Sequence, residues 1–132
     1  MRLKKDVSAW FPFPDDPDKA EFHFKLLNPG EIAQVQDASL EITFDFTDAE
    51  LGKRLGKTSI TKGREKEFSF SCLGWKNVFD QLGAELEFSE ANKLRPLREC
   101  PNFYEFFQDC QKKLVEIKKA QEKNSSSTSK GS

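Results

Sequence analysis

The side chains best suited to chemistry are few and lie far apart in the chain. His23 is the single histidine, and the cysteines are Cys72, Cys100 and Cys110. Zinc sites and thiol–imidazole pairs need such residues at characteristic spacings, and neither Cys-x-x-Cys nor His-x-x-x-His occurs. We therefore predict an exposed strand histidine and reduced thiols, with Cys72 and Cys110 as small core residues. One disulfide with a spare thiol is the less favoured alternative.

Acidic and glycine-containing segments offer no stronger case for a ligand site. The acidic run at 15–18 is interrupted by Pro17 and lacks the glycine and terminal glutamate of a calcium loop. The glycines at 52–63 lack the spacing of a phosphate-binding loop. The carboxylates at 41–50 are expected on an exposed face. We predict no catalytic residue, no cofactor and no metal; a small enzyme or metal protein is a third and least favoured hypothesis.

A cluster of cationic side chains lies in the middle of the chain and begins with Lys53, Arg54 and Lys57. The segment 48–66 has glycines and no hydrophobic period, which predicts a loop. The net charge of the whole chain is -1, and this balance excludes nucleic-acid binding driven by overall charge. A solvated loop is the first interpretation and a docking loop for an acidic protein is the next. A regulatory or nucleic-acid-binding protein that uses the basic residues at 53–66 is the alternative function.

Apolar surface is the remaining candidate for function, because 13 residues are Phe in a chain that is 33% charged. The N-terminal arm at 1–19 combines large aromatic residues with prolines, so we expect an extended segment that lies against the domain or a partner. Part of the last helix is also expected to be exposed. The candidate partner-binding side chains are Trp10, Phe11, Phe13, Tyr104, Phe106 and Val115, together with the basic Lys53, Arg54 and Lys57.

Strict alternation of apolar and polar residues predicts two strands, at 20–27 and 39–47. Between them, Asn28, Pro29 and Glu31 have the pattern of a helix start: a cap, a first-turn proline and an acid that bonds back to the cap.

This first helix is expected to be short, ending near Asp37, with Ile32 and Val35 facing inward.

The segment 64–79 fits two different periods. Phe68, Cys72, Trp75 and Phe79 follow the spacing of a helical face, whereas the alternation from Phe68 to Cys72 fits a strand. Because the helical pattern extends further along the chain, we predict a helix that includes Trp75.

Turn and cap residues divide the chain after that segment. Asp80 and Gly83 predict a turn, residues 84–88 predict a short extended piece, and Ser89 predicts the cap of another helix. Pro96 is expected to kink or end this helix, because proline lacks the N–H that an interior turn needs.

The last helix is predicted to open at Pro101. Its apolar seam has alternating spacings of four and three residues and consists of Phe103, Phe107, Cys110, Leu114 and Ile117. This seam either packs into the chain's own core or packs against the same helix of a second copy in a homo-oligomer. The polar end at 124–132 predicts disorder.

Together these elements predict an α+β fold that is mainly α, with a small N-terminal two-stranded β element followed by a compact bundle of three to four helices. The expected organisation is an extended arm at 1–19, a single globular domain at 20–120 and a disordered tail at 121–132. No apolar run reaches the ~20 residues of a membrane span, and no export signal precedes the domain. We therefore expect a cytoplasmic protein.

Three segments resemble the bacteriophage tail assembly chaperone family. Phe-Pro-Asp-Asp-Pro-Asp at 13–18, with Leu-Asn-Pro-Gly-Glu at 27–31, is similar to the family's Asp-Pro turn, strand and Leu-Thr-Pro-Gly-Glu helix start. Gly-Trp-Lys-Asn-Val-Phe-Asp-Gln-Leu-Gly at 74–83 resembles the family's element Trp-Lys/Glu-Gly/Asn-Val-x-Asp-x-x-Gly. Leu-Glu-Phe-Ser-Glu-Ala-Asn-Lys at 86–93 resembles a family helix start. The resemblance covers about 10–117 in order and spacing.

The resemblance implies a non-enzymatic chaperone that binds the tape-measure protein, keeps it soluble and recruits tail-tube subunits, without remaining in the finished tail. It gives structural roles to Asn28, Pro29, Glu31, Trp75, Asp80, Gly83 and Ser89. It also implies reversible apolar contacts with long helical segments in the cytoplasm of the host cell. The basic segment 53–66 is then expected to steer acidic clients.

Overall fold

The computed structural model describes the backbone of residues 1–3, 5–40 and 49–130 and the side chains of 1–3, 5–39 and 60–124. The predicted α+β class is confirmed. The described chain forms three strands and four helices, where two strands and three to four helices are predicted. In chain order they are β1 (Ser8–Pro12), β2 (Glu21–Lys25), α1 (Pro29–Leu40), α2 (Ala49–Ser71), β3 (Cys72–Lys76), α3 (Arg95–Glu99) and α4 (Phe103–Lys130).

The three strands form one antiparallel sheet in the order β1-β2-β3. The N-terminal arm supplies β1, so Trp10 pairs with His23 and Phe11 with Phe22 across the first two strands. Phe22 also lies opposite Trp75 on β3. The predicted strand at 20–27 is therefore confirmed as the central strand, and its alternating aromatic residues all point to one face.

That face packs against α4 and the end of α2. The ring of Phe24 is fully buried, with its centroid 5.1 Å from that of Phe107 and 5.9 Å from that of Phe68. The predicted α4 seam is confirmed: Phe103, Phe107, Cys110 and Leu114 are buried, and Ile117 packs against the core at its edge. Burial of each large side chain contributes about 1.5–3 kcal/mol, so this aromatic layer stabilises the packing of α4 and α2 on the sheet.

The predicted start of α1 is confirmed as a capping box beginning at Asn28, with Pro29 as the first helical residue. The N–H of Glu31 donates to Asn28 Oδ1 at 2.9 Å, and the N–H of Asn28 donates to Glu31 Oε1 at 3.0 Å. Glu31 also accepts from the buried ammonium of Lys25 at 2.9 Å, and Asp6 accepts from the same group at 3.4 Å. These bonds fix α1 to the end of β2.

Two details of the α1 prediction are wrong. The helix extends to Leu40, and Ile32 is 45% exposed while Val35 is half-buried. α1 lies mainly against α2, so its apolar residues do not all face the sheet. The predicted strand at 39–47 begins with residues that belong to α1, and its remainder at 41–47 lies outside the described residues.

The predicted loop at 48–66 is also wrong, because α2 occupies residues 49–71. Gly63 shows why glycine misled the prediction. It is buried, and a Cβ at this position would collide with the Ser39 hydroxyl of α1. Glycine costs about 1 kcal/mol in a helix interior, but here it lets two helices approach closely.

The helix predicted for 64–79 is correct up to Ser71 and wrong beyond it, since Cys72–Lys76 is β3 and contains Trp75. Ser71 is fully buried at this junction. Its Oγ donates to the Lys25 carbonyl at 2.6 Å and accepts from Gln111 Nε2 at 2.8 Å. The change to a strand lets the backbone of β2 pair on its second side, which local periodicity does not reveal.

The helix predicted after Ser89 is replaced by a series of turns, in which the Ser89 hydroxyl accepts from the Asn92 N–H at 3.3 Å. Pro96 lies in the first turn of the short α3 and does not kink a longer helix, because its missing N–H costs nothing there. α4 begins at Phe103, two residues after Pro101. It continues to Lys130, into the segment 121–132 for which composition predicts disorder.

Candidate functional site

An open cleft of about 390 Å³ lies at one end of the sheet. Its walls are the β1–β2 connection around 13–20, the turn at 77–86 and the α3–α4 connection. Local hydrogen bonds hold each wall.

The first wall is a tight connection organised by Asp16. Its carboxylate accepts from the Ala20 N–H at 2.8 Å and from the Asp18 N–H at 3.3 Å. The Phe13 N–H donates to the Ala20 carbonyl at 2.8 Å, and Lys19 has a positive φ of 56°. This path directs the Phe13 ring toward the core, where it packs near the sheet and α4.

The second wall confirms the predicted turn at Asp80 and Gly83. The Asp80 carboxylate accepts from the N–H groups of Leu82 at 2.9 Å and Ala84 at 3.0 Å. Gly83 has a φ of 81°, which glycine adopts without steric cost.

Two further hydrogen bonds tie this turn to the fold. Trp75 Nε1 donates to the Leu86 carbonyl at 2.7 Å, which connects β3 to the end of the turn. Asn77, at a positive φ of 60°, donates through Nδ2 to the Lys19 carbonyl at 3.1 Å. The second bond joins the first and second walls of the cleft directly.

The floor of the cleft is apolar and includes Phe13, Phe22, Val78 and Phe103. Phe79 lines the second wall and is 43% exposed, and Leu82 at the tip of the same turn is 93% exposed. These two side chains leave apolar area in water beside an open cleft, which is typical of a binding surface.

The rim of the cleft is acidic. It carries the carboxylates of Asp16, Asp18, Asp80 and Glu99 and one guanidinium, that of Arg95. Arg95 donates to Glu99 at 2.7 and 3.3 Å. This hydrogen bond raises the pKa of Arg95, with a further contribution from Asp80, and lowers the pKa of Glu99.

The predicted partner-binding residues do not form one surface. Trp10 is 41% exposed on the outer face of the sheet, stacked on His23 with ring centroids 4.9 Å apart. The Lys76 ammonium lies 4.5 Å from the Trp10 ring. Phe11 is buried in the core, and Phe13 is half-buried at the floor of the cleft.

The three candidates on α4 also differ from one another. The predicted exposure of Phe106 is wrong, because it is 9% exposed and part of the core. Tyr104 is half-buried beneath Arg64 and donates to Glu67 at 3.3 Å, whereas Val115 is 39% exposed. Since α4 packs on the sheet, Phe106 lies on the side of the helix that faces the core, whereas Val115 does not.

The side chains of Lys53, Arg54 and Lys57 lie outside the described residues, so the nucleic-acid alternative stays a prediction. The cleft residues that the sequence did not identify as site residues include Phe79, Arg95 and Glu99. A large apolar residue beside an Asp-x-x-Gly turn is the one local signal that could have indicated Phe79, because such turns lie at the surface.

The three cysteines are free, and the predicted core positions of Cys72 and Cys110 are confirmed. Burial raises the pKa of Cys72 and of Cys110 to about 12. Burial and then the nearby Asp16 carboxylate raise the pKa of Cys100, which borders the cleft. Such thiols are weak nucleophiles at neutral pH.

Within the described ranges, no group of three or more His, Cys, Asp or Glu side chains could hold a metal ion. In the same part of the chain, no helix combines the length and apolarity that a membrane crossing requires.

The fold and the cleft together define an α+β protein with an apolar floor and an acidic rim. Comparison of the chain with family models, with curated proteins and with solved structures finds no match.

Proposed function

We propose that this protein is a non-enzymatic tail assembly chaperone that binds a phage tape-measure protein in the cytoplasm of the host cell. One observation carries the proposal. The segments that resemble the family at 13–18, 74–83 and 86–93 all contribute residues to the same cleft, the last through Leu86 alone, whereas the segment at 27–31 does not line it. Residues 13–18 lie about 60 residues before 74–93 in the chain, and their meeting at one open apolar site suits a shared binding role.

The exposed side chains beside the cleft suit a reversible interaction. Burial of a Phe or Leu side chain contributes about 1.5–3 kcal/mol, so Phe79 and Leu82 together supply a few kcal/mol to binding. An affinity of about 1 mM corresponds to 4.1 kcal/mol, and each further 1.4 kcal/mol tightens binding tenfold. These two side chains alone do not offset the cost of association, so they would add to a wider contact that stays weak enough to be reversible.

Recruitment of tail-tube subunits would use a surface away from the cleft. Trp10 on the outer sheet face and Val115 on α4 are exposed and do not line the cleft. This separation would allow the client and the tube subunit to be bound at the same time.

The test is co-expression with overlapping fragments that span the tape-measure protein. We expect at least one fragment to become soluble with the wild type and to lose that solubility with Phe79→Ser or Leu82→Ser. Leu73→Ser is the matched control, because Leu73 is 44% exposed on β3, outside the cleft, and Phe79 is 43% exposed. The absence of any solubilised fragment, or equal losses with all three variants, would overturn the proposal.

A further inference from the structure

We propose that the cleft takes a client segment that is both apolar and cationic, in which Leu- or Phe-type side chains are flanked by Lys or Arg. The inference rests on the proposed function, since it requires the cleft to be a protein-binding site. It specifies the chemistry of the client, which the family resemblance does not.

The charged side chains at the rim are mostly acidic. Four carboxylates and one guanidinium line the cleft, which is a local net charge of -3 from Asp16, Asp18, Asp80, Glu99 and Arg95. The whole chain is close to neutral, with a net charge of -1. The acidity is therefore a property of this site, and it is not shared evenly by the surface.

Three of the four rim carboxylates, those of Asp16, Asp80 and Glu99, are hydrogen-bonded within the protein before any client arrives. Backbone N–H groups of the first wall orient Asp16, and those of the second wall orient Asp80. Arg95 is hydrogen-bonded to Glu99 and interacts at longer range with Asp80, so one guanidinium is set against four carboxylates and the rim stays negative. A preorganised acidic rim costs little entropy when a cation binds, which favours Lys or Arg on the client.

The rim carboxylates shift the pKa values of two groups that line the cleft, Cys100 and Arg95. Asp16 contributes to the raised pKa of Cys100, and Asp80 contributes to the raised pKa of Arg95. Both carboxylates therefore act on groups that line the cleft.

The apolar floor sets the second requirement on the client. Phe13, Val78 and Phe103 lie below the acidic rim. A Lys or Arg side chain can lay its aliphatic stem along such a floor and keep its charged end at the rim. An acidic segment would meet like charge at the same place. This preference is opposite in sign to the steering of acidic clients expected from the basic residues at 53–66.

The experiment uses the full chain and two synthetic peptides of about 15 residues, with the same Leu residues at helical spacing. In one peptide all the remaining positions are Lys, and in the second peptide they are all Glu. The test variant is Asp18→Asn with Glu99→Gln, which removes two charges and leaves the two turn-forming aspartates intact. The matched control is Glu105→Gln with Asp109→Asn, which removes two exposed charges on α4 outside the cleft.

We expect the Lys peptide to bind and the Glu peptide not to bind. At about 50 mM salt, the test variant should bind the Lys peptide about tenfold more weakly than the wild type does, and the difference should shrink at about 500 mM. The control variant should stay within about twofold of the wild type at both salt concentrations. Equal binding of the two peptides, or equal effects of the two double variants, would overturn the inference.

The outcomes separate this inference from the proposed function. If tape-measure fragments are solubilised but the test variant has no effect on peptide binding, the charge preference is wrong and the chaperone role stands. If no fragment is solubilised but the Lys peptide binds with the expected dependence, the cleft chemistry stands and the chaperone role fails. Sedimentation checks the remaining occupant: a dimer that Phe79→Ser converts to monomer would assign the cleft to a second copy and overturn the inference.

Discussion

Replacement of Ser71 by Ala should destabilise the protein at the point where α2 becomes β3. The Ser71 hydroxyl is fully buried and joins three elements. It donates to the Lys25 carbonyl of β2 at 2.6 Å and accepts from Gln111 of α4 at 2.8 Å. Removal of the hydroxyl leaves the Lys25 carbonyl without this donor and the Gln111 amide without this acceptor.

The magnitude follows from the surroundings of the two partners. A buried carbonyl that loses its donor costs about 1–3 kcal/mol, and a second hydrogen bond is worth about 1 kcal/mol or less when its partner can reach water. Gln111 is half-buried, so its amide can turn toward solvent. We expect a loss of about 2 kcal/mol in the free energy of unfolding, which at about 2 kcal/mol per molar urea lowers the midpoint by about 1 M.

The assay is urea unfolding monitored by circular dichroism. Ser69→Ala is the matched control, since Ser69 lies two residues earlier on α2 and is half-buried rather than fully buried. It should shift the midpoint by less than about 0.3 M, as is usual for sites without a special contact. The double variant Ser71→Ala with Gln111→Ala should show a coupling of at least about 0.5 kcal/mol.

Two results would refute this account of Ser71. The first is a midpoint equal to that of Ser69→Ala, which would mean that the hydroxyl does not hold the junction. The second is strict additivity of the two substitutions, because two groups that share a hydrogen bond should not act independently.

Three other predictions concern the helix cap, an ion pair and the thiols. Asn28→Ala should cost about 1 kcal/mol in urea unfolding, because it removes one half of the capping box. Glu31, followed by Asp6, raises the pKa of Lys25 above its usual 10.5. The stability from this pair is therefore fully present below pH 10.5 and is lost as the pH rises through the higher folded value, and Lys25→Met should flatten that alkaline loss. Iodoacetamide at neutral pH should modify the part-exposed Cys100 first and reach the buried Cys72 and Cys110 only after unfolding, as mass spectrometry can check.

Each of these has a clear contrary result. An unchanged midpoint for Asn28→Ala would argue against the cap, and equal alkaline profiles for Lys25→Met and the wild type would argue against the ion pair. Modification of all three cysteines at equal rates in the native protein would contradict the burial of two of them.

Elements with strong local signals were predictable. The alternation around Phe22 and Phe24 predicted the central strand, and the four-three spacing of the α4 seam predicted the buried face of the longest helix. The Asn28–Glu31 box and the Asp80–Gly83 turn were also predictable, because each is formed by hydrogen bonds within a few residues.

Elements that depend on distant partners were not predictable in the same way. Residues 72–76 fit a helical spacing locally, but they form a strand because β2 offers an unpaired edge. Glycine in α2 suggested a loop, but Gly63 is buried where α1 approaches. The cleft is the same kind of case, since its first wall at 13–20 lies about 60–90 residues before the other two walls, and the fold brings them together.

The sequence by itself therefore determined the α+β class, the central strand, the α4 seam, the helix cap, the Asp-Gly turn and the burial of Cys72 and Cys110. Tertiary structure decided that the N-terminal arm is a strand, that Phe106 is core, and that Phe79 and an acidic rim share one open site. The physical reason is the distance along the chain over which each kind of interaction acts. Capping, turn and periodicity preferences act within a few residues, whereas strand pairing, burial and electrostatic fields depend on which distant segments the fold places in contact.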